Sequence, residues 1–427
     1  MARSLPFVAS ALMGLAAAQH VGNPEEGHPE IKTWRCTVTG GCVEHTNYIV
    51  LDALSHWVYQ VDNPSYGCGD WGNAPNETVC PDVETCQKNC AMDGIADYST
   101  HGVTTEGSAL HLDMLRDSDL NVWSPRVYLL AEDKQTYEML HLVDQEISFD
   151  VDPSKLPCGM NGALYLSEML EDGGKSDINQ AGAYYGTGYC DAQCFTTPFI
   201  NGEPNLEGYG SCCNEMDIFE SNSRSTHLAP HTCNITGLYK CEPDECAFEG
   251  VCDKNGCGFN PYNVGNHEFY GHDLVVDTKR PFTVVTQFPA DDSGTMIEYR
   301  RLYIQDGQVI QQPTSKLEGV PSINYVNDEF CTAMGARKYL ELGAAAGMGH
   351  ALDRGMVLAM SVWWDEGGNM QWLDGGQAGP CNATEGNPSV IREIQPDAAV
   401  TFSNFKWGEI GSTFSGNVTK CKRSLSD

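Results

Sequence analysis

The 427-residue chain predicts an all-β fold, a two-sheet sandwich with large loops. Segments rich in β-branched and aromatic residues recur along it with strand periodicity. Helical periodicity is confined to short stretches. No Ser/Thr/Pro-rich linker, internal repeat or low-complexity block divides the chain, so it reads as one long unit, as all-β chains often do.

The elements follow in order. "DVETCQKNC" (82–90) predicts a short helix with Cys86 and Cys90 one turn apart. "EISFDVD" (146–152) alternates Ile147, Phe149 and Val151 against polar neighbours, a strand with one apolar face. "FTVVTQF" (282–288) and "GMVLAMSVWW" (355–364) are β-rich throughout and suit strands buried on both faces. "MIEYRRLYIQDGQVI" (296–310) is a hairpin turning at Asp306-Gly307. "NDEFCTAMGARKYLELGAAAGMGHAL" (327–352) holds one or two helices.

The first 18 residues have the form of a secretory signal peptide: Arg3, an apolar run from about Leu5 to Ala17, and small residues Ala16 and Ala18 before the cut. A secreted, extracellular protein follows, and the rest agrees. No later apolar stretch reaches the roughly 20 residues of a membrane span. All 19 cysteines lie after the leader, where disulfides are the default and an odd count leaves one over. Sequons stand at Asn76, Asn234, Asn382 and Asn417, while Asn387-Pro-Ser is excluded by its proline. The net charge of −33 repels nucleic acid and anionic membranes but not a neutral polymer. The adjacent cysteines Cys212 and Cys213 cannot easily serve one metal, and no His pair lies near them at ligand spacing, so neither metal nor other cofactor is expected.

The candidate chemistry lies in "GSCCNEMDIFESNS", from Gly210 to Ser223, with Glu215, Asp217 and Glu220 behind two cysteines. In a chain with 58 acidic residues, three at one fixed spacing recur roughly once by chance, so context must decide. On a strand Glu215 and Asp217 share a side. Glu220 has the wrong parity and joins them only across a bulge, a feature frequent beside active sites. Carboxyls crowded on one concave face split their pKa values, giving an acid and an ionised partner, which is what glycoside hydrolysis requires. Trp57, Trp363, Trp364 and Trp372 offer flat rings for sugar faces. One of Trp363 and Trp364 must leave the core, since neighbours on a strand face opposite ways.

"CCNEMDIFESNS" resembles the signature of glycoside hydrolase family 7, the cellulases of fungi and some protists. "GVTTEGSALHL", "PRVYLL", "ISFDVDPSKLPCGMNGALYLSEM", "AGAYYGTGYCDAQC", "NGCGFNPY", "TVVTQF", "GNMQWLD" and "TFSNFKWGEIGST" extend the likeness in the family's order over roughly 30–414. Laminarinases and lichenases share a Glu-x-Asp-x-x-Glu bulge, but the Cys-Cys prefix and flanking blocks favour family 7.

The resemblance implies a curved, legume-lectin-like β-sandwich (jelly roll) with an open cleft, spanning 19–415, then a tail over 416–427 without a carbohydrate-binding module. It implies a retaining mechanism with Glu215 as nucleophile, Glu220 as acid/base and Asp217 hydrogen-bonded to Glu215. Further sugar contacts implied are Trp57 at the non-reducing entrance, Arg126, Asn161, Tyr165, Tyr189, Asp191 and Gln193 along the glycone sites, His231 near the leaving group, and Trp363 and Trp372 as platforms. Asn255, Gly258 and Phe259 depart from the acids and Trp of the family's tunnel enzymes. The implied disulfides are Cys36–Cys42, Cys68–Cys90, Cys80–Cys86, Cys158–Cys381, Cys190–Cys213, Cys194–Cys212, Cys233–Cys252, Cys241–Cys246 and Cys257–Cys331, leaving Cys421 unpaired. Short runs from Cys194 to Cys212, from Cys241 to Cys252 and from Trp372 to Cys381 point to an endo-acting β-1,4-glucanase, a monomer acting on cellulose or a related β-glucan. The alternatives are a chain-end cellobiohydrolase and a non-catalytic carbohydrate-binding protein.

Overall fold

The computed structural model describes residues 20–69, 74–116, 118–415 and 417–418. The leader, Cys421 and the Asn417 side chain lie outside the described residues.

Two layers of antiparallel strands make the body. The inner layer runs Gly41–Leu51, Arg126–Leu130, Met356–Trp364, Met160–Ser167, Glu215–Ser221 and Thr226–His231, each strand bonded to the next. The outer layer runs Val103–Glu106, Ala109–Asp113, Ala399–Glu409, Gln145–Asp152, Phe282–Gln287, Glu298–Gln305 and Gln308–Gln311. Glu30–Thr37 joins the layers, antiparallel to Gly41–Leu51 and parallel to Ala399–Glu409.

Side-chain alternation sorts the inner strands into two faces. Val127, Leu129, Leu164, Leu166, Met216, Met360 and Val362 turn toward the outer layer and join the main core. There Phe149 meets Phe219 and Phe402 edge-on at centroid distances of 5.8 and 6.0 Å. Each such ring contributes about 1.5–3 kcal/mol of burial. Tyr128, Ala163, Tyr165, Val357 and Ala359 turn the other way and form a second cluster under the opposite face. Trp364 belongs to the core and Trp363 to that second face.

The bulge expected in the acidic strand is present. Its register against Thr226–His231 shifts between Asp217 and Glu220. Ile218 and Phe219 both enter the core, and this extra inward residue returns Glu220 to the side of Glu215 and Asp217. Arg301, buried on the outer layer, donates across the sandwich to the Ile218 carbonyl and, at 3.1 Å, to Thr286 Oγ1. The outer sheet thus supports the kink of the inner one.

The hairpin turns at Asp306-Gly307, both with positive φ (52° and 72°), as a two-residue turn demands. Three helices, not one or two, occupy the 327–354 region: Asp328–Ala333, Arg337–Glu341 and Ala344–Arg354. Gly335 and Gly343 separate them at φ +77° and +120°, values a helix cannot contain. Asn417–Val418 pairs in parallel with Gln308–Gln311, so the sheet takes in the start of what reads as a tail. Nine disulfides close among the described residues, and they are the nine pairs the resemblance implies. Among the described residues no helix is long and apolar enough to cross a membrane.

Candidate active site

Strand register lays the acids out as a column. Glu215 stands opposite His231, Asp217 opposite Ala229 and Glu220 opposite His227 on one side. On the other side they face Ser167, Tyr165 and Ala163. All three acids are buried, so each polar contact matters.

Glu215 Oε2 accepts the backbone N–H of Ala192 at 3.0 Å. Burial, then the charges of Asp217 and Asp191, push its carboxyl well above the ordinary range. Burial and Glu220 raise Asp217 to about 6. Asp217 Oδ2 lies 3.0 Å from His231 Nε2, while His231 Nδ1 lies 2.9 Å from the Asp253 carbonyl. A carbonyl only accepts, so Nδ1 carries a proton, and a second proton on Nε2 serves Asp217. Against burial, which lowers it, the bond to Asp217 lifts His231 to about 10. The raised value favours the imidazolium form of the ring. Asp217 was expected to bond Glu215; the hydrogen bond it makes in the structure runs instead to His231, whose charge is the better partner for a buried carboxylate.

Glu220 Oε1 accepts from Asn161 Nδ2 at 2.9 Å, and Asn161 Oδ1 accepts the Ser221 N–H at 3.0 Å. Asn161 is thus locked at both ends. Tyr165 and Tyr189 meet at their hydroxyls, 3.2 Å apart, and the Tyr189 hydroxyl donates to Asp191 at 2.8 Å. The Arg126 guanidinium lies 3.4 Å over the Tyr189 ring and bonds Asp52 at 3.0 Å. Burial raises Asp191. Gln193 is exposed, and its amide donates to the Lys254 carbonyl at 2.9 Å. Trp363 and Trp372 stack at 6.2 Å and 28°. Trp57, half exposed, lines a cavity with Asp52 and Tyr189.

The paired cysteines hold this arrangement. Cys213 is bridged to Cys190 and Cys212 to Cys194, which ties the acidic strand to the 190–194 loop. That loop carries Asp191 and the Ala192 N–H. Lys254 Nζ braces it from the other side through the Ala192 carbonyl at 2.8 Å, and burial lowers this amine to about 8. The sequon residues Asn76, Asn234 and Asn382 are exposed, outside this cluster.

Reading the sequence missed Asp52, His227, Lys254 and Arg301. His227 was within reach, because it precedes His231 by four and so shares its strand face. The other three act from elements remote in sequence, and no local pattern marks them.

Comparison with known proteins gives the same picture. The description "Glycosyl hydrolase family 7" matches residues 21–414. The chain is 59% identical over 408 residues to endoglucanase EG-1 of Humicola insolens, covering 95% of this chain and 94% of that protein. The native Humicola insolens endocellulase EGI structure superposes with TM-score 0.91 at 60% identity, covering 93% of this chain and all of that one. A Melanocarpus albomyces cellobiohydrolase complexed with cellotetraose is more distant, with TM-score 0.84 at 36% identity and the same coverage. A bulged acidic strand clamped by two adjacent disulfides, on a sandwich shared along nearly its whole length, leaves one assignment: the chain belongs to glycosyl hydrolase family 7.

Proposed function

We propose that this protein is a secreted, monomeric endo-β-1,4-glucanase that cleaves cellulose with retention of configuration, Glu215 as nucleophile and Glu220 as acid/base. The single observation that carries the assignment of roles is the different way the two glutamates are held. Glu215 receives an N–H donor from Ala192 and faces the His231 imidazolium, both of which favour its charged form. Glu220 is gripped at Oε1 by an amide, which leaves Oε2 to hold a proton.

Three acids in one buried column do not all ionise, and they titrate as a set. The reacting complex needs the shared proton on Glu220. Glu215 then attacks the anomeric carbon as Glu220 protonates the departing glycosidic oxygen, and a glycosyl ester forms on Glu215. Water, deprotonated by Glu220, attacks the same carbon and frees Glu215. His231, held in place by its bond to Asp217, offsets the charge that Glu215 gains and loses. Trp363, Trp372 and Trp57 give apolar platforms to successive sugars, and the exposure of Trp372 (45%) and Trp57 (50%) suits a cleft that admits the middle of a chain.

Endo action is favoured by the identity to proteins named endoglucanases, well above that to a cellobiohydrolase. Secretion is favoured by the leader and by nine disulfides, which persist in oxidising compartments. Proton NMR of the first product from a soluble β-glucan tests the mechanism. The β-anomer is expected, and a first-formed α-anomer overturns it. Glu215→Gln is expected to bind oligosaccharide but not turn it over.

A further inference from the structure

A second histidine faces the acid/base. His227 lies directly opposite Glu220 in the strand register. Its Nδ1 is 3.8 Å from Glu220 Oε2, is buried, and has no hydrogen-bond partner among the described residues. The other oxygen, Oε1, is taken by Asn161. The oxygen left for the catalytic proton is therefore the one that His227 faces.

The ring is wedged from behind by main chain. A Cβ at Gly258 would stand 1.8 Å from His227 Nε2 and 2.6 Å from Cε1. Gly258 is not among the positive-φ glycines, so its backbone does not require glycine. The space does. With no side chain at residue 258, the imidazole fills the space beside Glu220.

We propose that His227 is a positioning residue for Glu220, seated by Gly258, whose Nδ1–H donates to Oε2 and so fixes the carboxyl with its own proton free to face the glycosidic oxygen. The 3.8 Å gap closes in the substrate complex, as catalytic hydrogen bonds often tighten there. Across the strand His227 faces Glu220, with Asp217 next in the column; from the loop it meets the Gly258 backbone. The inference rests on reading Glu220 as the acid/base.

Leaving-group dependence tests it, because only a poor leaving group needs the proton. His227→Ala is expected to lower kcat/KM about tenfold on cellotetraose, a fraction of the 10²–10⁴ of general acid catalysis. On 2,4-dinitrophenyl β-cellobioside, whose phenolate departs unprotonated, the loss is expected below about twofold. Activity on that substrate also shows that the variant has folded. Gly258→Ala, which displaces the ring without removing it, should reproduce the split in the wild-type background and add nothing in the His227→Ala background. Equal losses on both substrates, or losses from the two substitutions that multiply, overturn the proposal. Glu220→Gln run alongside separates the two readings. If it shows the split and His227→Ala does not, only the role of His227 falls; if Glu220→Gln lacks the split, the assignment of Glu220 falls.

Discussion

Glu215 shows what burial does to one residue. Its carboxyl is held well above the usual range, so the folded protein binds its proton more tightly than the unfolded chain. Stability is then greatest at low pH and is lost as pH rises through the unfolded value toward the folded one. Glu215→Gln removes the group that must ionise. Its melting temperature should match the wild type near pH 4 and exceed it at pH 7. Calorimetry at the two pH values checks this, and an equal offset at both would show that burial is not the cause. Trp372 stacks on Trp363 but is half exposed, and under the proposed function it is a sugar platform. Trp372→Ala should raise KM for cellopentaose about three- to tenfold, the 0.5–1.5 kcal/mol of one aromatic contact, with kcat nearly unchanged. Steady-state kinetics decides, and a fall in kcat alone would place the ring elsewhere.

The acidic strand, bulge and disulfide clamp work as one element. Strand parity placed Glu215 and Asp217 together and flagged Glu220 as needing a bulge. The bulge itself rests on groups far away in sequence: the Arg301 guanidinium lies 83 residues from the carbonyl it supports. The Cys194–Cys212 bridge spans 18 residues and should contribute about 3 kcal/mol. Replacing both cysteines with serine should lower the melting temperature and slow kcat, since Ala192 N–H then loses its fixed aim at Glu215. A variant that melts lower but keeps full kcat would show that Cys190–Cys213 and Lys254 suffice. The disulfide pairs were legible only through family resemblance, because cysteine spacing alone admits many connectivities.

For the whole molecule, exposed platforms and short loops predict cuts within chains. Carboxymethyl cellulose should lose viscosity rapidly while little reducing sugar appears, and crystalline cellulose should be attacked weakly. Viscometry with a reducing-end assay checks this; early cellobiose at steady viscosity would replace the endo reading with chain-end action. Under the proposed mechanism activity should form a bell in the mildly acidic range, because the carboxyl set would have to keep one proton for Glu220 and yet leave Glu215 charged. A rate still rising at pH 9 would contradict shared-proton chemistry.

The sequence by itself determined several of the strands, the hairpin at Asp306-Gly307, the need for one of Trp363 and Trp364 to leave the core, and the place of the three acids. Those follow from periodicity, turn chemistry and a local motif, all read within a few residues. Tertiary structure alone decided that Asp217 pairs with His231, that Gly335 and Gly343 split one helical stretch into three, and that His227, Lys254 and Arg301 attend the acids. These depend on which strands and loops are brought side by side. Lys254 lies 62 residues from the carbonyl it braces, and only the packing of the two layers and the crosslinked loops sets that neighbourhood.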